Sequence, residues 1–121
     1  MALKVSGYSS TSLTHKIVEQ STVTQTANVD VLGTSGTLHS CTLWNQHSAV
    51  VYIKFFITTG EYTAAVTEPD LMFRLPATTS KQVDFPAGLE FSQLTFWAND
   101  GAATNDTDSP GGTVAVTAVC S

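Results

Sequence analysis

The chain has 121 residues and a mass of 12.8 kDa, the size of one domain with a single hydrophobic core. Only 12% of the residues are charged, about half the usual share, while 19 Thr and 12 Ser supply most of the polar character. With 5 Lys and Arg against 10 Asp and Glu, the net charge of −5 excludes a basic surface for nucleic acid. We expect no membrane span and no secretory signal, because no apolar run approaches about 18 residues and the N-terminus lacks an apolar segment.

The first 26 residues are rich in Ser and Thr and contain few apolar side chains. The β-branched residues between Lys16 and Val23 predict a first strand, and the stretch before it predicts an extended arm. Such an arm is either disordered or tied to a neighbouring subunit. We therefore expect residues 1–26 to form an N-terminal arm and residues 27–121 to form the core domain.

From Val29 onward, short runs of β-branched and aromatic residues alternate with clusters of Gly, Pro, Asn and Asp. After the first strand at 16–23, the predicted strands cover residues 29–32, 38–44, 50–58, 71–75, 81–85, 94–98 and 113–120, and residues 89–91 form a short extended piece. No segment has helical periodicity over three turns. Seven or eight short strands in this pattern predict an all-β fold, either an antiparallel β-sandwich or a jelly-roll-like barrel.

In two of the predicted strands, the order of side chains indicates which residues point toward the core and which point away from it. In the segment 50–58, Val51 and Ile53 share one face, whereas Lys54 lies on a mixed face that is expected to be partly covered. Phe96 and Trp97 are adjacent, so one of the two rings points away from the core. An outward Trp covers either a ligand or another subunit, and we favour the subunit.

No residue pattern indicates catalysis. His15, His39 and His47 lie in no catalytic motif, and the chain has no nucleophile elbow, zinc-protease helix or phosphate-binding loop. Glu68 and Asp70 flank a proline and are more typical of a solvated loop than of an acid–base pair. We therefore predict that the protein is not an enzyme and uses no cofactor.

The two cysteines, Cys41 and Cys120, are expected to be buried reduced thiols, although a disulfide between them remains an alternative. In an extended strand His39 and Cys41 would share a face, but no second pair of ligands completes a metal site. The acidic run 100–108 contains three Asp residues and one Asn. It is either a solvated loop or a Ca²⁺ site without the EF-hand spacing, and we predict no metal.

Several segments together carry a resemblance to a known family. They read LHSCTLWN at 38–45, AVVYIKFF at 49–56, LMFRLPA at 71–77 and VDFPAGLEF at 83–91, followed by a strand that runs into the Asp-rich loop and a final Val-Ala-Val strand. In this order they resemble small virion proteins of tailed bacteriophages. The N-terminal arm departs from the part that carries the resemblance.

The resemblance implies a β-sandwich that decorates or cements the capsid, or that belongs to a head fibre or tail. It also implies a homo-oligomer, most often a trimer, that binds the major capsid protein at the virion surface after assembly in the host cytoplasm. The contact surface is predicted to combine side chains of the arm with outward-facing strand residues. The predicted contact residues are Leu3, Val5, Tyr8, Leu13, Ile17, Tyr52, Phe56, Met72, Arg74 and Trp97.

A different class of function is a carbohydrate-binding β-sandwich. Trp44 and Trp97 are the side chains on which a sugar ring would stack.

Overall fold

The computed structural model describes residues 3–7 and 15–121, and all regular secondary structure in these residues is β-strand. The eight strands are β1 (Leu3–Gly7), β2 (Lys16–Gln20), β3 (Gly36–Asn45), β4 (Val51–Phe56), β5 (Leu71–Leu75), β6 (Ser80–Phe91), β7 (Thr95–Asn99) and β8 (Val114–Cys120). They form a five-stranded sheet of order β1-β2-β8-β3-β6 and a three-stranded sheet of order β5-β4-β7. Every pairing is antiparallel, which confirms the predicted all-β antiparallel architecture.

The hydrophobic core combines the inward faces of both sheets. Burial alternates strictly along strand β8: every second residue from Val114 to Cys120 is buried, and the residues between these are partly exposed, as expected when one face of the strand is covered. From the smaller sheet, the fully buried Phe55 packs its ring against Phe73 and Phe96, with centroid distances of 5.9 Å and 5.8 Å. Burying each such ring contributes about 1.5–3 kcal/mol, so the aromatic cluster is a main source of stability.

Strand β2 lies inside the larger sheet, between β1 and β8. Val18 on this strand is fully buried and Val23 beyond it is 1% exposed, so both belong to the core. The core domain therefore begins at about Lys16 and not at residue 27, because β2 pairs with β8 along its whole length. The predicted strand start at Lys16 agrees with the structure. Residues 3–7 of the expected arm form the edge strand β1 of the chain's own sheet.

The predicted strand at residues 29–32 is wrong. Asp30 adopts a left-handed backbone conformation with a φ of 46°, which breaks an extended run, and its carbonyl accepts a turn hydrogen bond from Gly33. The segment still follows β7, since Asn28 forms an isolated bridge with Phe96 and the Val31 amide bonds the Leu94 carbonyl.

The predicted strand at 81–85 and the short extended piece at 89–91 belong to one strand, β6. Its pairing with β3 shifts between Leu38↔Leu89 and Ser40↔Asp84, so residues 85–88 bulge opposite the single residue His39. Pro86 has no backbone N–H, and it is tolerated because β6 lies at an edge of its sheet. The turn residues that predicted a break therefore make a bulge.

Within the described residues, the structure contains no helix with the length and apolar character needed to cross a membrane.

Candidate functional site

The outer face of the smaller sheet is covered by the chain's own loops. Lys54 points to this face and is nevertheless fully buried. Its ammonium group donates hydrogen bonds to Oδ1 of Asn99 and to the carbonyl oxygen of Ala103, both at 2.9 Å. Burial lowers the pKa of the Lys54 amine, while the negative charges of Asp106 and Asp100 act in the opposite direction. Lys54 thus holds the acidic loop against the sheet.

The acidic loop brings three carboxylates together. The carboxylate oxygens of Asp100, Asp106 and Asp108 lie within 4.8 Å of one another. Partial desolvation raises the pKa of Asp100, with further contributions from the charge of Asp106 and from a hydrogen bond to it. The loop closes on itself where the Asp108 amide donates to Oδ1 of Asp106 at 2.8 Å. Because the buried Lys54 ammonium already offsets part of this charge, the geometry favours a lysine-anchored loop over a calcium site.

Trp97 lies on the opposite side of β7 from Phe96, as the alternation predicted. It is only 4% exposed, however, because the ring of Tyr62 covers it at a centroid distance of 4.7 Å. The same burial raises the pKa of the Tyr62 phenol. What covers Trp97 is therefore a loop of its own chain, so the face of the indole is not free to stack on a sugar ring, and only its edge borders the cavity beside Tyr62.

A groove lies beside this aromatic pair. Its deeper part is a cavity of about 340 Å³ with Trp97 and Tyr62 in its wall, together with Ala27, Val29, Ala64 and Ala65. A shallower depression of about 460 Å³ adjoins it, because Val29 and Tyr62 line both. We call these two parts together the Tyr62 groove. The sequence contains no signal for it, because its walls come from strand β7 and from four loop segments far apart in the chain.

The predicted contact residues fall on two separate surfaces. The first is the edge hairpin of β1 and β2, where Val5 is 44% exposed while Leu3 and Ile17 are half-buried. The second is the outer face of the smaller sheet, where Tyr52 pairs with Arg74 across β4 and β5.

On that second surface Met72 is 45% exposed and Arg74 is exposed, but Phe56 is only 8% exposed. Phe56 thus joins Trp97 among the predicted contact residues that the chain covers itself. Tyr8 and Leu13 lie outside the described residues.

Trp44 has the largest open aromatic surface among the described residues, with 49% of the side chain exposed. It lies on the outer face of the larger sheet, between Ser80 on β6 and Ala115 on β8. Next along this face, the Thr42 hydroxyl donates to the side-chain carbonyl of Gln82 at 2.9 Å. None of these neighbours of Trp44 is charged, and the buried Leu43 beside it points to the opposite face of the sheet.

Both cysteines are buried free thiols, which confirms the first of the two predicted alternatives. His39 and Cys41 do not share a face, because the bulge at His39 interrupts the alternation of β3. Cys41 points into the core, whereas His39 bonds the Ser121 hydroxyl at 2.7 Å and contacts His15 on the outside. The expected start of a metal site is therefore not formed.

Comparison with known proteins returned no matching family model, no matching curated protein and no matching solved structure. The relation to phage virion proteins therefore depends on the sequence resemblance, and function has to be argued from the surfaces described above.

Proposed function

We propose that this protein is a non-enzymatic structural component of a tailed-phage particle, which associates with itself and decorates the shell of the major capsid protein. The observation that carries this proposal is the open edge of β1. One side of β1 pairs with β2, and among the described residues no strand pairs with its other side.

An open edge presents unpaired backbone N–H and C=O groups, which are a template for a strand of another chain. Val5 adds an exposed apolar side chain at this edge. Charged residues make up only 12% of the chain as a whole, but the hairpin itself carries three exposed ones, Lys4, Lys16 and Glu19, and Lys4 lies opposite Glu19. On a shell of many equivalent sites, modest contacts of this kind sum to strong retention.

The experiment uses Val5→Lys, which places a charge on the open edge without removing a strand. Truncation as far as residue 23 is unsuitable, because Val18 and Val23 belong to the core. Val66→Lys is the matched control, since Val66 is 69% exposed on a distant loop. Oligomer mass by light scattering and co-sedimentation with purified shells are measured for each variant.

We expect Val5→Lys to reduce both oligomer mass and shell binding, and Val66→Lys to reduce neither. A monomeric parent protein that does not bind shells would contradict the proposal. Equal binding by both variants would contradict the role of β1.

A head-fibre or tail component is the alternative within the same class, because an open edge supports self-association in either place. The copy number per particle separates them. Hundreds of copies by quantitative mass spectrometry identify a shell protein, and a handful identify a fibre or tail protein.

The carbohydrate-binding alternative depends on Trp44 alone, since Trp97 is covered. It requires that the parent protein bind a glycan array and that Trp44→Ala abolish this binding without unfolding the chain.

A further inference from the structure

The Tyr62 groove has an apolar end and an open end. Six apolar or aromatic residues line the apolar end, and its volume of about 340 Å³ is ample for one large side chain. A cavity of about 150 Å³ already accommodates benzene in another protein. The open end is lined by polar side chains that include Thr59, Ser92 and Gln93, so the two ends together suit an extended chain with one apolar anchor.

All the charged side chains that line the groove are acidic. Asp106 lines the apolar end, and Asp30 and Glu61 line the open end, whereas no basic residue lines either part. Asp100 and Asp108 cluster with Asp106 and extend the negative field beyond the wall.

The basic side chains of the molecule lie outside the lining of the groove. Lys54 is buried beneath the acidic loop and hydrogen-bonded there. The other four, all within the described residues, lie on strands β1, β2, β5 and β6 and are exposed; they are Lys4, Lys16, Arg74 and Lys81. The lining of the groove thus contains no exposed cation of its own chain.

We infer that the Tyr62 groove binds a basic peptide segment of a partner protein, with one apolar side chain of the segment inserted beside Tyr62 and Trp97. The lysine or arginine side chains next to this anchor face Asp30, Glu61 and Asp106. Complementary charge fixes the direction and register of the segment, and the anchor provides contact area. This inference does not depend on the proposed function, because it concerns a different surface from the β1 edge.

The test measures binding of three synthetic peptides of about nine residues by isothermal titration. The first has a central Leu flanked by Lys residues, the second has Glu in place of each Lys, and the third has Ser in place of the Leu. We expect the first peptide to bind more tightly than both others and to weaken as salt concentration rises.

Two groove variants locate the binding. Asp30→Asn with Glu61→Gln removes two charges at nearly constant shape, and Asn tolerates the left-handed conformation of residue 30. We expect about fivefold weaker binding of the first peptide. Ala64→Leu fills the apolar end and should weaken the first peptide by about tenfold while leaving the Ser peptide unchanged.

The matched control is Glu19→Gln with Asp84→Asn, which removes two exposed charges from the larger sheet and should change nothing. The inference is overturned if the Lys and Glu peptides bind equally, if no peptide binds, or if the groove variants match the control. It is also overturned if butylammonium chloride binds as tightly as the first peptide, because the groove would then be a site for small cations.

Discussion

The Lys54 ammonium lies 2.9 Å from Oδ1 of Asn99, and both side chains are at most 1% exposed on the side of the smaller sheet that faces away from the core. The pair therefore belongs to a second buried region, which lies between the smaller sheet and the loop that covers its outer face. It tethers β4 to β7, and through the Ala103 carbonyl it also holds the acidic loop.

Replacing Lys54 with Met should lower the free energy of unfolding by about 2–4 kcal/mol, because Oδ1 of Asn99 and the Ala103 carbonyl would lose their donor in a buried site. Urea denaturation measures the change. Lys81→Met, at an exposed edge position, should stay within about 0.5 kcal/mol of the parent. Equal midpoints for the two variants would show that the Lys54 contacts carry no stability.

Titration of Cys41 should make the fold weaker in alkali. Burial, aided by the charge of Cys120, raises the pKa of the Cys41 thiol from 9.0 to about 12. Between these values the unfolded chain releases a proton that the folded chain keeps, so the free energy of unfolding falls as pH rises from about 9 to about 12. The loss approaches about 4 kcal/mol at most.

The lowered pKa of Lys54 contributes with the opposite sign at alkaline pH, so the effect of Cys41 is obtained by comparison with a variant. Cys41→Val removes the thiol at similar volume, and its stability should decline less steeply above pH 9 than that of the parent. Parallel slopes in urea melts across this pH range would refute the assignment.

Substitution of the two tryptophans should reduce stability by very different amounts. Trp97→Ala removes a ring that is 4% exposed and should cost about 3–5 kcal/mol, whereas Trp44→Ala removes one that is 49% exposed and should cost less than about 1 kcal/mol. Thermal and urea melts of both variants provide the measurement. A larger loss for Trp44→Ala would mean that its face is covered in solution.

Gly36 should not tolerate a side chain. A Cβ at this position would lie 2.5 Å from the Ser121 carbonyl oxygen and 2.9 Å from the Phe91 ring, because the start of β3 packs closely against the C-terminus. Gly36→Ala should therefore cost about 1–3 kcal/mol through a backbone shift. Ser35→Ala, at the exposed neighbouring position, is the control, and the same melting midpoint for both would contradict the close contact.

Local patterns in the sequence predicted most strands. The alternation in β8 and the run Leu71–Leu75 are local signals, and both strands form where expected. The errors arise where one residue changes the backbone direction. Asp30 interrupts a β-branched run, and Pro86 with Gly88, whose φ is 77°, makes a bulge where a turn was predicted.

Burial on the outer face of the smaller sheet could not be predicted in the same way. The alternation of side chains along β4 and β7 correctly predicts that Lys54 and Trp97 point away from the core. It does not predict that the loops containing Tyr62 and Ala103 fold over these two side chains and bury them.

The amino-acid sequence by itself determined the all-β class, most strand positions and which face of each strand is apolar, because these depend on side-chain alternation and turn residues within a few positions. Only the tertiary structure decided which faces and edges remain open. The covered Trp97, the acidic Tyr62 groove and the edge of β1, which no other strand pairs with among residues 3–7 and 15–121, each depend on contacts between segments far apart in the chain, which local sequence patterns do not encode.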